Sequence, residues 1–522
     1  REAALSPAGR SELSALVSSS LGSAFSGSGT GEWLMPTQDT HHRKSISYGF
    51  YERSTALSFT FIHTLANVDT WIQARQSIAM RPPLLIRRLC AFAFTGFALS
   101  SALSGADGWP DMRGPTQDGH VGSANLPETW SESRNVKWKT EIPLLGLSSP
   151  IVLDNQIWLT TATVEGHEYY VLCVDATTGE ITTNKKLFHR DDPQDMGNGA
   201  QDNSYATPSA VIEPGRVYVH YGNVGTACLD TETKEVLWKR EDLECWHYRG
   251  ASSSPVLFED LLILTFDGAD LQYLVALDKK TGETVWKTDR SAEWNDEHID
   301  KQMVKDGDWR KAHGTPLIVT IEGEPVMCSV GAKAAYGYNP ETGEELWRVD
   351  HEAYSASPRP VFHEGSFIIV TGFSKGAEMM SIKAGGRGVV SDTHIEWRFD
   401  QSFPKYSSPI LVDDLLYFAM DDSFLGCVEA ETGETVWKGR AGGKYRACPI
   451  YAGGKLYFFS LEGRTTVIEP GREFKILATN ELATDAPLDD PRRGPGFMAS
   501  PAVVGDAMFL RTRYHLYRIE EA

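Results

Sequence analysis

The chain has little in the way of long apolar runs. The apolar run at residues 89–99 falls well short of the roughly 20 apolar residues that a spanning helix needs. Basic residues are in the minority: 50 Lys and Arg stand against 70 Asp and Glu, a formal net charge of −20. That balance argues against nucleic acid or an anionic lipid surface as a general partner, and it serves solubility. No G-x-S-x-G, H-E-x-x-H or phosphate-cradling P-loop occurs, so serine-nucleophile, zinc-protease and nucleotide chemistry are without their usual signatures. No C-x-x-C-H occurs, which removes a c-type haem.

The front of the chain carries a processing pattern. Residues 1–79 are rich in Ser, Gly and Ala without sustained periodicity, and are expected to be an upstream extension that folds into nothing. Met80 is followed by Arg81, Arg87 and Arg88, then the apolar run, then Ser100-Ser101-Ala102-Leu103-Ser104-Gly105-Ala106. Basic, apolar, then small residues is the order of a secretory signal peptide, here 80–106, with Met80 as the start and cleavage near Ala106; an uncleaved anchor is the alternative. Cys90 lacks small residues before it and makes a poor lipidation site. A periplasmic or secreted protein follows, with 41 basic and 64 acidic residues from 107 onward.

From there the chain repeats itself. Ala276-Leu277-Asp278-Lys279-Lys280-Thr281-Gly282-Glu283-Thr284-Val285-Trp286 reads as strand, tight turn, strand. Related copies run from Cys173 to Gly179, Cys228 to Trp238, Asn339 to Trp347 and Cys427 to Trp437, with weaker ones ending at Trp397 and passing Glu469-Pro470-Gly471. A proline precedes each unit, at Pro150, Pro208, Pro255, Pro316, Pro358, Pro409, Pro449 and Pro501, spaced 40 to 61 residues apart. Each unit holds about four short strand-like runs. Eight such units in 136–522, after a lead-in at 107–135, predict an all-β, eight-bladed β-propeller. The last unit has only three runs; residues 136–140, with Trp138 at the repeat position, supply the fourth and close the ring. Trp238, Trp286, Trp347 and Trp437 are expected between blades. Cys173, Cys228 and Cys427 share the position of Ala276, so free, buried thiols are expected there.

Asp-x-x-Thr-Gly-x-x-x-Trp resembles the tryptophan-docking repeat of the PQQ-type (quinoprotein dehydrogenase) propellers. With Trp109-Pro110-Asp111-Met112-Arg113-Gly114-Pro115 and Asn135-Val136-Lys137-Trp138-Lys139, the chain is similar to the PQQ-binding-like propellers that include BamB-type outer-membrane assembly proteins. The resemblance covers 107–522 and implies the fold; fold alone does not fix function. A quinoprotein would need calcium held by carboxylate and amide oxygens, an Asp base and usually a vicinal Cys-Cys pair. No Cys-Cys occurs, and no Glu, Asn and Asp set matches the family's ligand positions.

Candidate site residues come from loops beside the inner strands. Trp246, His247, Tyr248 and Arg249 offer stacking, a titratable ring and a fixed cation at one end of the channel. Tyr205, Arg359, Lys405, Tyr406, Tyr445 and Arg446 flank the proline markers, and Asp267 and Lys333 follow second strands. These read either as a channel-mouth pocket for a polar or anionic ligand or as hydrogen-bonders between blades. Asp191, Asp192 and Asp195 with Asn198, Asp202 and Asn203 could offer oxygens to Ca²⁺ or be a solvated acidic loop; Glu293, Asp296, Glu297, His298 and Asp300 have the same standing, in an insertion expected to carry a short helix. Two functions stay open: a non-catalytic, monomeric binding scaffold with protein partners in the cell envelope and no cofactor, as the likeness to BamB implies, or a PQQ- and calcium-dependent alcohol or sugar dehydrogenase.

Overall fold

The repeat turn builds itself locally. The Asp278 carboxylate accepts from the amides of Lys280 (2.9 Å) and Thr281 (2.8 Å), and the Gly282 amide closes back on the Asp278 carbonyl (2.8 Å). Asp175, Asp230 and Asn339 repeat the same bonds in their own turns. Gly282 sits at φ 76°, which a side chain would resist. The turn joins two antiparallel strands, Gln272–Asp278 and Thr284–Asp289, so the sequence motif is the outer hairpin of a blade.

The computed structural model describes residues 108–197, 202–294, 307–373, 376–483 and 497–521, all within one compact unit, Gly96–Ala522. The extension, the signal peptide and Cys90 lie outside the described residues. The described chain forms eight antiparallel sheets, seven four-stranded and one five-stranded, arranged as an eight-bladed β-propeller. The extra strand is Gly388–Val389, which pairs in parallel with Glu345–Asp350 of the fourth blade. It comes from the fifth blade, whose turn lacks the Asp-x-x-Thr-Gly chemistry and loops outward instead. Val136–Glu141 pairs antiparallel with His515–Ile519, so the earliest described strand is the outer strand of the eighth blade.

The tryptophans dock blade on blade. Trp138, Trp238, Trp286, Trp397 and Trp437 each donate an indole N–H to a carbonyl in the next blade's turn, at 3.0–3.2 Å. Each of the first four rings lies flat against that turn's glycine: a Cβ on Gly179, Gly282, Gly343 or Gly433 would come within 2.5–2.8 Å of the indole or its neighbour. Trp347 is fully buried but its indole N–H has no partner among the described residues; it packs on Gly337 and Phe367 instead. The small residue opposite each tryptophan also has a steric reason. Cys228, Ala276, Gly337, Ser381 and Cys427 pair in register with Trp238, Trp286, Trp347, Trp397 and Trp437. Six cysteines are free and buried.

A second circuit runs round the axis. The residue two before each inner strand is Ser149, Ser209, Ser254, Thr315, Arg359, Ser408, Cys448 and Ser500 in turn. The backbone N–H of Ser149 donates to Ser209 Oγ, that of Ser209 to Ser254 Oγ, and that of Ser254 to Thr315 Oγ1. Arg359 donates to Ser408, Ser408 to Cys448 Sγ, Cys448 to Ser500, and Ser500 back to Ser149. Seven of eight links are made, and the break falls at Arg359, which has no hydroxyl. This register corrects two proline markers. The residues equivalent to Pro150 are Ala210 and Pro360, not Pro208 and Pro358, because the inner strands begin at Val211 and Val361.

The lead-in straps one end of the channel. Trp109 bridges Val152, the Pro110 carbonyl accepts from Ile212, and His120 and Val121 bond to Leu411 and Tyr451. At its tip, Arg113 donates to the carbonyls of Pro449 (2.9 Å) and Pro409 (3.0 Å). Arg359, the residue that breaks the circuit, turns its guanidinium to Asp111 (2.7 Å), Gln117 (2.8 Å) and the Pro316 carbonyl (2.9 Å). This end also carries the repeat turns. The loops between blades lie on the opposite face.

Candidate functional site

The loop face holds the channel mouth. The segment from Cys245 to Gly250 enters it from blade two's outer strand, Val236–Arg240, toward blade three's inner strand, Val256–Phe258. Its shape is fixed from both sides. The Trp246 amide donates to Asp270 Oδ1 (2.7 Å), the Ala269 amide to the Trp246 carbonyl (2.8 Å), and Gly250 to the His247 carbonyl (2.7 Å). Asn203 from the preceding loop donates to the carbonyls of Arg249 (2.8 Å) and Gly250 (3.1 Å). Arg249 itself sits at φ 73°, a costly backbone for a residue with a Cβ.

A cavity of about 290 Å³ opens beside Arg249, walled by Asn203, Lys311, His313, Tyr354, Phe373, Lys405 and Tyr406, with Asp202 and Asp308. A second cavity of about 140 Å³ lies along the axis below it. The two share Asp202, Ser252, His313, Ser357 and Tyr406, and the strap residue Met112 lines the axial one beside Ser149, Ser209, Ser254, Thr315, Ser408, Cys448 and Ser500. Because those hydroxyls bond blade to blade, the axis below the mouth is polar but largely self-satisfied.

The mouth's charges are interlocked. Arg249 grips Asp308 through Nε (2.9 Å) and Nη2 (3.3 Å), and the buried Lys311 ammonium lies 2.8 Å from the same carboxylate. Burial works against charge on Asp308, yet Lys311 and Arg249 hold its pKa below the ordinary value; burial lowers that of Lys311. Arg446 pairs with Asp421 (2.6 Å) and Asp202 (3.3 Å) and stacks on Tyr406, 3.3 Å from the ring centroid. Burial pushes the Tyr406 phenol up to about 12 and raises Asp421. Lys405 lies 4.9 Å from the Phe373 ring centroid and makes no ion pair among the described residues.

The structure divides the residues expected at the mouth. Arg249, Lys405 and Tyr406 line the upper cavity, and Arg446 the axial one. Trp246, 39% exposed, stands edge-on to Tyr248 at 5.9 Å on the rim. His247 turns inward: it is 7% exposed, packs on Phe266 and is held at a pKa of about 4 by burial, so it is a neutral core ring. Tyr205 lies behind the wall with its hydroxyl on the Gln194 carbonyl (2.7 Å). Asp267 is buried in a two-pronged pair with Arg290 (2.6 and 2.7 Å). Lys333 reaches the Glu352 carbonyl (2.7 Å), away from the cavity. Arg359 serves the strap at the other end, and Tyr445 is buried in the blade core.

Sequence reasoning missed Asp308, Lys311, His313, Tyr354 and Phe373. Lys311 and Asp308 lie in the insertion before blade four, where the described residues form one 3-10 turn, Asp308–Arg310, and of which only Glu293, Asp296, Glu297, His298 and Asp300 were singled out. Asp296, Glu297, His298, Asp300 and Asn198 lie outside the described residues. Among the described residues no group of three or more His, Cys, Asp or Glu converges. Asp202, Asp308 and Asp421 are each held by Arg or Lys. This donor set does not fit the calcium site that a quinoprotein requires.

A family model described as outer membrane protein assembly factor BamB matches residues 124–288 and 331–473. Among solved structures, a europium-containing methanol dehydrogenase superposes with a TM-score of 0.56 at 10% identity, covering 77% of this chain and 89% of that one. BamB from Moraxella catarrhalis gives 0.49 at 11% identity, covering 74% and 99%. A quinohemoprotein alcohol dehydrogenase from Comamonas testosteroni gives 0.38 at 12%, covering 79% and 80%. No curated protein matches in sequence.

Proposed function

The chain belongs to the family described as outer membrane protein assembly factor BamB, and from that membership we propose that it is an exported binding propeller of the cell envelope, a scaffold for a protein partner without turnover of its own. One observation carries the reading. The polar groups at the axis are engaged with one another: seven of the eight inner backbone N–H groups donate to the next blade, and Arg359, whose side chain accepts no such bond, is held by the strap. What is left to act is the loop face, with its charged mouth and the aromatic side chains Trp246 and Phe373, 39% and 48% exposed. Loops carried on a rigid scaffold are the usual place for recognition.

The test pairs two measurements. Purified chain, given PQQ, Ca²⁺ and an alcohol or sugar, is expected not to reduce an electron-acceptor dye. Trp246→Ala with Phe373→Ala is expected to keep the wild-type melting profile and to weaken cross-linking to an envelope partner. PQQ-dependent dye reduction would overturn the scaffold reading.

A further inference from the structure

We propose that the channel mouth receives a carboxylate carried on an extended acidic segment of the partner protein. This rests on the scaffold reading and adds the partner's chemistry. The argument begins with charge. Among the described residues, four cations stand at the mouth (Arg249, Lys311, Lys405 and Arg446) against three carboxylates, Asp202, Asp308 and Asp421. Asp308 is shared by Arg249 and Lys311, and Arg446 takes both Asp202 and Asp421. Lys405 makes no ion pair among the described residues: it lies beside the Phe373 ring and, at longer range, favours the charged form of Asp421. The mouth thus carries an excess positive charge in a chain whose formal charge is −20. A general electrostatic attraction would draw basic ligands to this protein; only a local site draws an acid.

Geometry points the same way. The Lys311 ammonium, its side chain 4% exposed, shares the Asp308 carboxylate with Arg249 and donates to Ser355 Oγ (2.6 Å), so one carboxylate answers two cations where water screens poorly. Arg249 spends Nε and Nη2 on Asp308, and its Nη1 makes no further bond among the described residues. An incoming carboxylate between Arg249 and Lys405 answers both needs. A cavity of about 290 Å³ takes a side chain or a chain end rather than a folded surface. The exposed rings of Phe373 and Trp246 would flank the rest of an extended segment.

A displayed library of random octapeptides, selected on immobilised wild-type protein and on Lys405→Glu, tests this. Lys405 sits in no ion pair among the described residues, so the variant is expected to fold; Lys383→Glu, on a strand of blade five, makes the same change of charge elsewhere. Selection on wild type and on Lys383→Glu should enrich Asp and Glu, and selection on Lys405→Glu should not. A selected peptide should bind about tenfold more weakly when its acidic residue becomes Gln or when Lys405 becomes Glu. Enrichment of basic or purely apolar peptides, or equal enrichment on both variants, overturns the proposal. Free glutarate binding as tightly as the peptide, with the same dependence on Lys405, also overturns it in favour of a small-molecule site. Partner cross-linking that survives Lys405→Glu would discard the mouth and leave the scaffold reading standing.

Discussion

At the scale of single residues, the recurring tryptophan and the glycine it covers form one device split between two blades. Trp286 fills the space over Gly343 and donates to the Pro340 carbonyl at 3.1 Å. Trp286→Ala should therefore lose both the burial and the bond, lowering stability by about 3–5 kcal/mol in a denaturant titration. A wild-type midpoint would mean that the ring is not holding the blades. This part was legible because the turn is made by short-range bonds that fix residue types. The mouth was less so. Arg249, Lys405 and Tyr406 could be named from their place beside inner strands, but the inward turn of His247 depends on Phe266, a residue from another strand. Nothing local marks Asp308 as the partner of Arg249, 59 residues away.

At the scale of elements, the strap and the inner circuit depend on each other. Arg359 gives up the hydroxyl bond that its counterparts make, and its guanidinium, 2% exposed as a residue, ties the lead-in to blades four and five instead. Removing it leaves Asp111 buried with one partner fewer. Arg359→Ala should cost roughly 3–5 kcal/mol, and should bring protease cleavage into residues 109–121 before the blades are cut. Cleavage that begins in the blades would show that the strap does not depend on Arg359. The proline markers located the inner strands within two residues in every blade, and erred where a proline occurred at a neighbouring position. The strap's course was not readable, because the contacts of its tip with Arg359, Pro409 and Pro449 lie 242 to 336 residues away in the chain.

At the scale of the whole molecule, buried neutral histidines set an acid limit. Burial holds His220 at a pKa of about 3, His247 at about 4 and His351 at about 3. In the unfolded chain these rings titrate near 6.5. Between those values the unfolded state binds more protons, so stability is complete above pH ~6.5 and is lost as pH falls toward 4. The slope is up to about 1.4 kcal/mol per pH unit for each histidine. Calorimetric melts at pH 7.5, 6, 5 and 4.5 should show a falling Tm; a flat profile would mean that the rings reach water or a partner when protonated.

The eighth blade draws on both ends of the described chain. Asn135 bonds to Glu521, 386 positions away, and Trp138 docks on the turn of blade one. Seven blades can therefore stack on one another, but the strand at 136–141 stays unpaired until residues 515–519 fold against it. Until then it is an exposed sheet edge with nothing to pair with, open to a chaperone or to a second copy of the chain. Closure becomes an all-or-nothing proofreading step: a chain that stops short of its eighth blade exposes the same edge permanently, and a protease can read it.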